Sequence, residues 1–183
     1  MIITIAGKPG SGKSSVAKML AKKLGYKVFS AGDLRGEIAM KHKITIDQLN
    51  EIGKKEKWTD EECDKLLEKM GKKEDNIVFD SWMAWHFIPK SVKIFLDADM
   101  KESAKRIFKK QRPDEAKQKT VDGVYKMISK RFKESVARYK KWYDVDMLDM
   151  KKYDLVIDTT DKTKEQVLAI ITKFLESFKN HSL

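Results

Sequence analysis

Eight consecutive residues, Gly7-Lys8-Pro9-Gly10-Ser11-Gly12-Lys13-Ser14, carry the clearest chemistry in the chain. A glycine, four residues, then glycine, lysine and serine is the spacing at which a backbone curls until successive N–H groups face one anion. The run follows the strand-like Ile2-Ile3-Thr4-Ile5 and precedes helical periodicity at Val16, Met19, Leu20 and Leu24. The positive end of that helix reinforces the cradle. Lys13 is placed to reach the β- and γ-phosphates of ATP, and the Ser14 hydroxyl to ligate Mg2+. Gly7 to Ser14 with the adjoining Ser15 is thus the expected donor site.

Such a loop also serves motors and GTPases, so the acceptor chemistry must come from elsewhere. At 183 residues there is no room for a motor's additional modules. The segment Leu155-Val156-Ile157-Asp158-Thr159-Thr160 lacks the asparagine, lysine and aspartate that would read guanine. Carboxylates close the other strand-like runs: Asp80 after the third, Asp97 and Asp99 after the fourth, Asp158 after the fifth. Asp80 is the expected partner of a magnesium water or of an acceptor proton. Asp97, Asp99 and Asp158 read as caps and turn residues.

Phosphoryl transfer needs positioning and charge neutralisation more than covalent chemistry, which directs attention to the arginines. The basic residues are almost all lysine, and only Arg35, Arg106, Arg112, Arg131 and Arg138 offer a two-pronged fork. Arg131 and Arg138 stand seven residues apart in the helical segment from Val124 to Tyr143, so they share a face. They are expected to bridge donor and acceptor phosphates as catalytic residues beside Lys13 and Asp80. Arg106 and Arg112 flank a lysine-rich segment and are expected to close over the triphosphate or stack on its base.

These groups need a scaffold. Ile2–Ile5, Lys27–Phe29, Ile77–Phe79, Val92–Leu96 and Leu155–Ile157 are short apolar runs suited to strands covered on both faces, separated by helical patterns. Alternation of this kind predicts an α/β fold with parallel strands and right-handed crossovers. Residues 33–75 are too long for a plain crossover and read as a helical insertion; residues of about 108–123 read as a mobile lid. Thr45/Gln48, Thr59/Glu62 and Thr163/Gln166 have capping-box spacing. No linker or repeat divides the chain, so a single domain is expected.

The formal net charge of +11 calls for anionic partners, for which both nucleotides and nucleic acids qualify. Two alternatives stand beside a nucleoside monophosphate kinase: another small-molecule or adenylate-type kinase on the same scaffold, and a basic ATP-switched protein that binds RNA or a partner, against which the absence of an aromatic RNA-binding motif counts. The lone Cys63 can form no internal disulfide, and no apolar run reaches the roughly 20 residues of a membrane span. A cytoplasmic monomer is expected.

The phosphate loop, Phe29-Ser30-Ala31-Gly32-Asp33 with Arg35, the helical insertion, the arginine pair with Ser135 and Tyr139, and Tyr153 to Thr159 resemble the short, archaeal-type cytidylate kinases over nearly the whole chain. The resemblance implies a five-stranded sheet flanked by helices, a monophosphate-binding insertion, a lid, and transfer of the γ-phosphate of MgATP to CMP or dCMP. By position it places Ser30, Gly32, Asp33 and Arg35 at the acceptor, Arg131 and Arg138 on the phosphates, and Arg106 and Arg112 in the lid. Two features depart from the family pattern. Asp80-Ser81-Trp82 stands where aspartate, glycine and arginine are usual, and Arg35 lies one residue closer to the Ser-Ala-Gly-Asp run. Trp82, with Trp85 and His86, is expected to offer an aromatic pocket to the acceptor.

Overall fold

The computed structural model describes residues 1–111 and 117–180. The five expected strands form one parallel sheet: β1 (Ile2–Gly7), β2 (Lys27–Ser30), β3 (Ile77–Asp80), β4 (Val92–Asp97) and β5 (Leu155–Asp158), in the order β2-β3-β1-β4-β5. The three inner strands are the most deeply buried, and all six residues of β1 are inaccessible. The two edge strands, β2 and β5, are only partly covered, and Val28 and Val156 on them are exposed.

Helix α1 (Lys13–Leu24) packs on one face of the sheet with Val16, Ala17 and Leu20 against Ile3, Ile5, Ile94 and Leu96. The opposite face is covered through Ile2, Ile77 and Phe79 by three helices inserted between β2 and β3: α2 (Ala31–Lys41), α3 (Ile46–Gly53) and α4 (Trp58–Lys73). A short helix, α5 (Ala84–Phe87), follows β3. Helices α6 (Met100–Lys109) and α7 (Val121–Tyr143) follow β4, and α8 (Lys164–Asn180) joins α1 on its face through Val167, Ile171 and Leu175. No described helix is long and apolar enough to cross a membrane.

Local chemistry fixes the helix starts. Thr45 and Gln48 form a reciprocal capping box on α3, and Thr163 and Gln166 exchange the same pair of bonds ahead of α8. Thr59 does not cap. The helix begins a residue earlier, and the buried Thr59 hydroxyl instead donates to the Glu56 carbonyl at 3.3 Å. Two caps that the spacing does not announce are Ser30, whose hydroxyl accepts from the Asp33 amide at the head of α2, and Thr120, which accepts from Gly123 at the head of α7.

Gly7 and Gly10 are fixed by close approach. A Cβ on Gly7, where φ is +147°, would lie 2.1 Å from the Leu96 carbonyl oxygen; one on Gly10 would lie 2.7 Å from Ser103 Cβ. Gly7→Ala should therefore force β1 away from β4. We expect a loss of about 3 kcal/mol, the upper range for one substitution, and a melting temperature lower by about 6–12 °C, read by calorimetry.

Candidate active site

The carboxyl edge of the sheet brings the expected residues together. The register sets Asp80 opposite both Ile5 and Ser30, so the end of β3 lies between the phosphate loop and the start of the insertion. A cavity of about 270 Å3 opens there. Pro9, Gly10, Lys13 and Ser14 line one end, Asp80, Ser81, Trp82 and Arg131 lie along it, and Arg35, Asn50, Asp60, Asp64 and Arg138 line the part beneath the insertion. The volume is at the lower end of the small-ligand range.

The loop is held from behind. The Lys8 amide donates to the Leu96 carbonyl at 3.1 Å, and the Lys8 ammonium pairs with Asp97 at 2.6 Å. The buried Thr159 hydroxyl lies 2.9 Å from the Asp97 carbonyl and 3.1 Å from that of Ser11. Asp97 thus supports the loop. Asp99 caps α6, and Asp158 accepts from the Thr160 amide and hydroxyl, so both are local structure.

Lys13 lies across the mouth of the loop, its ammonium donating to the Lys8 carbonyl at 3.0 Å and standing 5.8 Å from the Trp82 ring centroid. Burial pushes its pKa down to about 8; Asp80 opposes the shift and Arg131 adds to it. A buried ammonium that titrates this low is short of anions, and polyphosphate would supply them. Ser14 is exposed at the cavity wall, and Ser15, also exposed, is not among the lining residues.

Arg106 departs from its expected role as a lid cation. Its Nη2 donates to the carbonyls of Thr159 and Thr160 at 2.7 and 2.6 Å, and its Nη1 to Gly10 at 3.4 Å. Located in the last turn of α6, immediately behind the loop, its fork holds two loops together instead of reaching into the cavity. Arg112 lies outside the described residues.

The aromatic pocket takes a different form from the expected one. Trp82 lines the cavity, but its indole N–H donates to the Gly7 carbonyl at 2.7 Å and its ring packs edge-on to Phe132. Trp85 is buried against Tyr153, and His86 packs between Phe87 and Tyr143; neither is among the lining residues. The Trp85 N–H donates to the Trp82 carbonyl at 2.9 Å, so the pair braces the turn after β3.

Beneath the insertion lies an ion network that the sequence does not mark. Asp60, 2% exposed, pairs with Arg35 through Oδ1 and lies 2.9 Å from Arg138 Nε through Oδ2. Arg35 also donates to the Thr59 carbonyl at 2.9 Å and to Asn50 at 3.1 Å. Arg35 and Arg138 are therefore buried and joined through a single carboxylate. One turn along α4, Asp64 accepts a hydrogen bond from the Tyr143 hydroxyl. Ser30 and Gly32 line the cavity, whereas Asp33 is exposed in the first turn of α2 and is not a lining residue.

Residues 2–161 match the model of the cytidylate kinase-like family. The chain belongs to that family. It is 32% identical to a cytidylate kinase of Methanocella arvoryzae, covering 98% of this chain and 99% of the relative. It is 35% identical to a cytidylate kinase of Sulfolobus acidocaldarius, covering 100% and 98%. Among solved structures, a shikimate kinase from Bacteroides thetaiotaomicron superposes with a TM-score of 0.66 at 17% identity over 96% of this chain and 98% of that one; this likeness shows the fold alone. As a member of this family the chain is a nucleoside monophosphate kinase, and the cavity that joins the phosphate loop to the helical insertion is its candidate active site.

Proposed function

We propose that this kinase transfers the γ-phosphate of MgATP to CMP or dCMP. One observation carries the reading beyond family membership: a single cavity runs from the loop lysine to an arginine-lined chamber in the insertion, so donor and acceptor phosphates meet in one enclosed space. ATP fits the loop because α1 begins directly after it, with the left-handed Gly12 at its N-cap, and because the Lys13 ammonium stands at its mouth.

In this reading an acceptor phosphate oxygen attacks the γ-phosphorus while the bond to the β–γ bridging oxygen breaks, giving CDP and ADP. Lys13 and Arg131 neutralise charge on the moving group, and Asp80 faces the same space. Arg35 and Arg138 hold the acceptor's own phosphate. Ser14 and Asp80, which both line the cavity, would hold Mg2+, which would supply positive charge against the triphosphate. The segment of about 108–123 is the one we assign to the lid, and 33–75 the one we assign to the acceptor subdomain. A cytoplasmic site of action suits these substrates and the buried Cys63 thiol, which burial pushes up to about 12.

Incubation with MgATP and each of CMP, dCMP, UMP and AMP, followed by product analysis, tests the assignment. CDP or dCDP should be the main product. Phosphorylation of AMP alone would overturn it.

A further inference from the structure

Asp64 lines the cavity and accepts a hydrogen bond from the Tyr143 hydroxyl behind it, a carboxyl–phenol pair that phosphoryl transfer does not use. Along α7, Arg131, Arg138 and Tyr143 are separated by seven and five residues, or about 10 and about 8 Å of helix rise. Arg131 lies close enough to Lys13 to lower its pKa, Arg138 meets Asp60, and Tyr143 meets Asp64. These side chains mark a path leading away from the phosphate loop. A monophosphate whose phosphate sits between Arg131 and Arg138 has Asp64 within the same cavity as the partner its base can reach. Cys63 and Leu67, on the same face of α4, supply an apolar surface there.

We propose that Asp64 reads the acceptor base, its carboxyl group oriented by the Tyr143 hydroxyl so that it meets N3 and the 4-amino group of cytosine. This assignment rests on the CMP kinase reading above.

The pairing follows from donor and acceptor patterns. Cytosine presents an acceptor at N3 beside an amino donor, and a carboxyl group carrying one proton presents the complement: O–H toward N3, and C=O toward the amino group. Uracil presents N–H at N3 and an oxygen at position 4; the carboxyl group matches it only with its proton on Oδ2, which the Tyr143 bond disfavours because a carboxylic O–H oxygen is a poorer acceptor than a carbonyl oxygen. The Tyr143 hydroxyl occupies one lone pair of Asp64 Oδ2, leaving the second lone pair for the amino group and Oδ1 for the proton.

The surroundings keep that proton available. Burial pushes the Asp64 carboxyl up to about 7; the Tyr143 bond opposes the shift, Asp60 adds to it, and Arg35 and Arg138 oppose it. Tyr139, on α7 beside Arg138, is itself pushed up to about 12 by burial and stays neutral. Lys57 lies 4.7 Å from the Tyr143 ring centroid. Cytosine binding raises the affinity of the pair for its shared proton, so above about pH 7 binding takes up a proton and weakens as pH rises.

The variant Asp64→Asn separates this role from a structural one. An amide can present N–H to N3 and C=O to the amino group of cytosine, and because the Tyr143 hydroxyl can accept as well as donate, the amide can turn over and present the reverse pattern to uracil. With MgATP, the wild type should favour CMP over UMP by about 100-fold in kcat/KM. Asp64→Asn should reduce that preference at least tenfold, chiefly by gaining UMP turnover, while its affinity for MgATP is unchanged. Its CMP dissociation constant should be flat between about pH 7 and 9, where that of the wild type rises.

A wild-type enzyme that uses UMP as well as CMP would overturn the proposal, as would an Asp64→Asn enzyme with intact MgATP affinity and an unchanged CMP:UMP ratio. Should the variant fail to fold, a pH-independent wild-type affinity for CMP would count against the proposal by itself. A wild type that phosphorylates no pyrimidine monophosphate would overturn the underlying function as well.

Discussion

Lys13→Ala is expected to lower kcat/KM for MgATP by about a thousandfold or more, a loss of about 4 kcal/mol of transition-state stabilisation. The reason is placement. The ammonium is held at the mouth of the loop by the Lys8 carbonyl and faces the space between Gly10, Ser14 and Arg131, where charge shifts from the γ-phosphoryl group to the leaving oxygen. Its depressed pKa of about 8 adds a second signature. In the free protein, burial penalises the charged form; bound polyphosphate favours it, so near pH 8 ATP binding should take up part of a proton. Calorimetry in buffers of different ionisation enthalpy reads that uptake, and Lys13→Ala should abolish it. Folding is expected to survive the change, because the penalty for burying the ammonium disappears with it. Turnover left intact in the variant would move the donor site elsewhere.

Legibility in the sequence followed contiguity. The phosphate loop occupies eight adjacent residues whose types are dictated by backbone curvature, and the collision distances at Gly7 and Gly10 show why no other residue serves there. The inner strands could be read because parallel strands covered on both faces are mostly apolar, with Thr4, Asp80, Lys93 and Asp97 the exceptions. The acceptor end could not be read so directly. Asp60 and Asp64 sit in Trp58-Thr59-Asp60-Glu61-Glu62-Cys63-Asp64, where four acids in five positions look like a solvated helix face. Their helical spacing with Cys63, Leu67 and Gly71 was the available signal, since carboxylates inside an apolar stripe must be paired or protonated. Trp85 and His86 misled for a related reason: they follow Trp82 closely in sequence, but a four-residue helix turns them toward Tyr153 and Phe87. Arg106 was legible as a special arginine, but its carbonyl partners lie in two other loops, distant in sequence.

Asp60→Asn is expected to cost about 3–5 kcal/mol of stability and to lower the melting temperature by about 6–20 °C. The substitution is nearly isosteric, so neither packing nor cavity formation accounts for the loss. The carboxylate receives Arg35 on one oxygen and Arg138 on the other, and an amide can satisfy only one of them. Its NH2 group must face the remaining guanidinium, donor against donor, and two buried cations are left without an anion. The same logic assigns Asp60 a role in the catalytic cycle: before substrate arrives it keeps Arg35 and Arg138 from repelling each other, and the three groups together retain one positive charge for a phosphate. CMP should therefore raise the melting temperature of Asp60→Asn more than that of the wild type, because in the variant the acceptor phosphate supplies the missing anion. Thermal melts of both proteins with and without CMP measure both effects. A variant as stable as the wild type would show that solvent, and not Asp60, balances the two arginines.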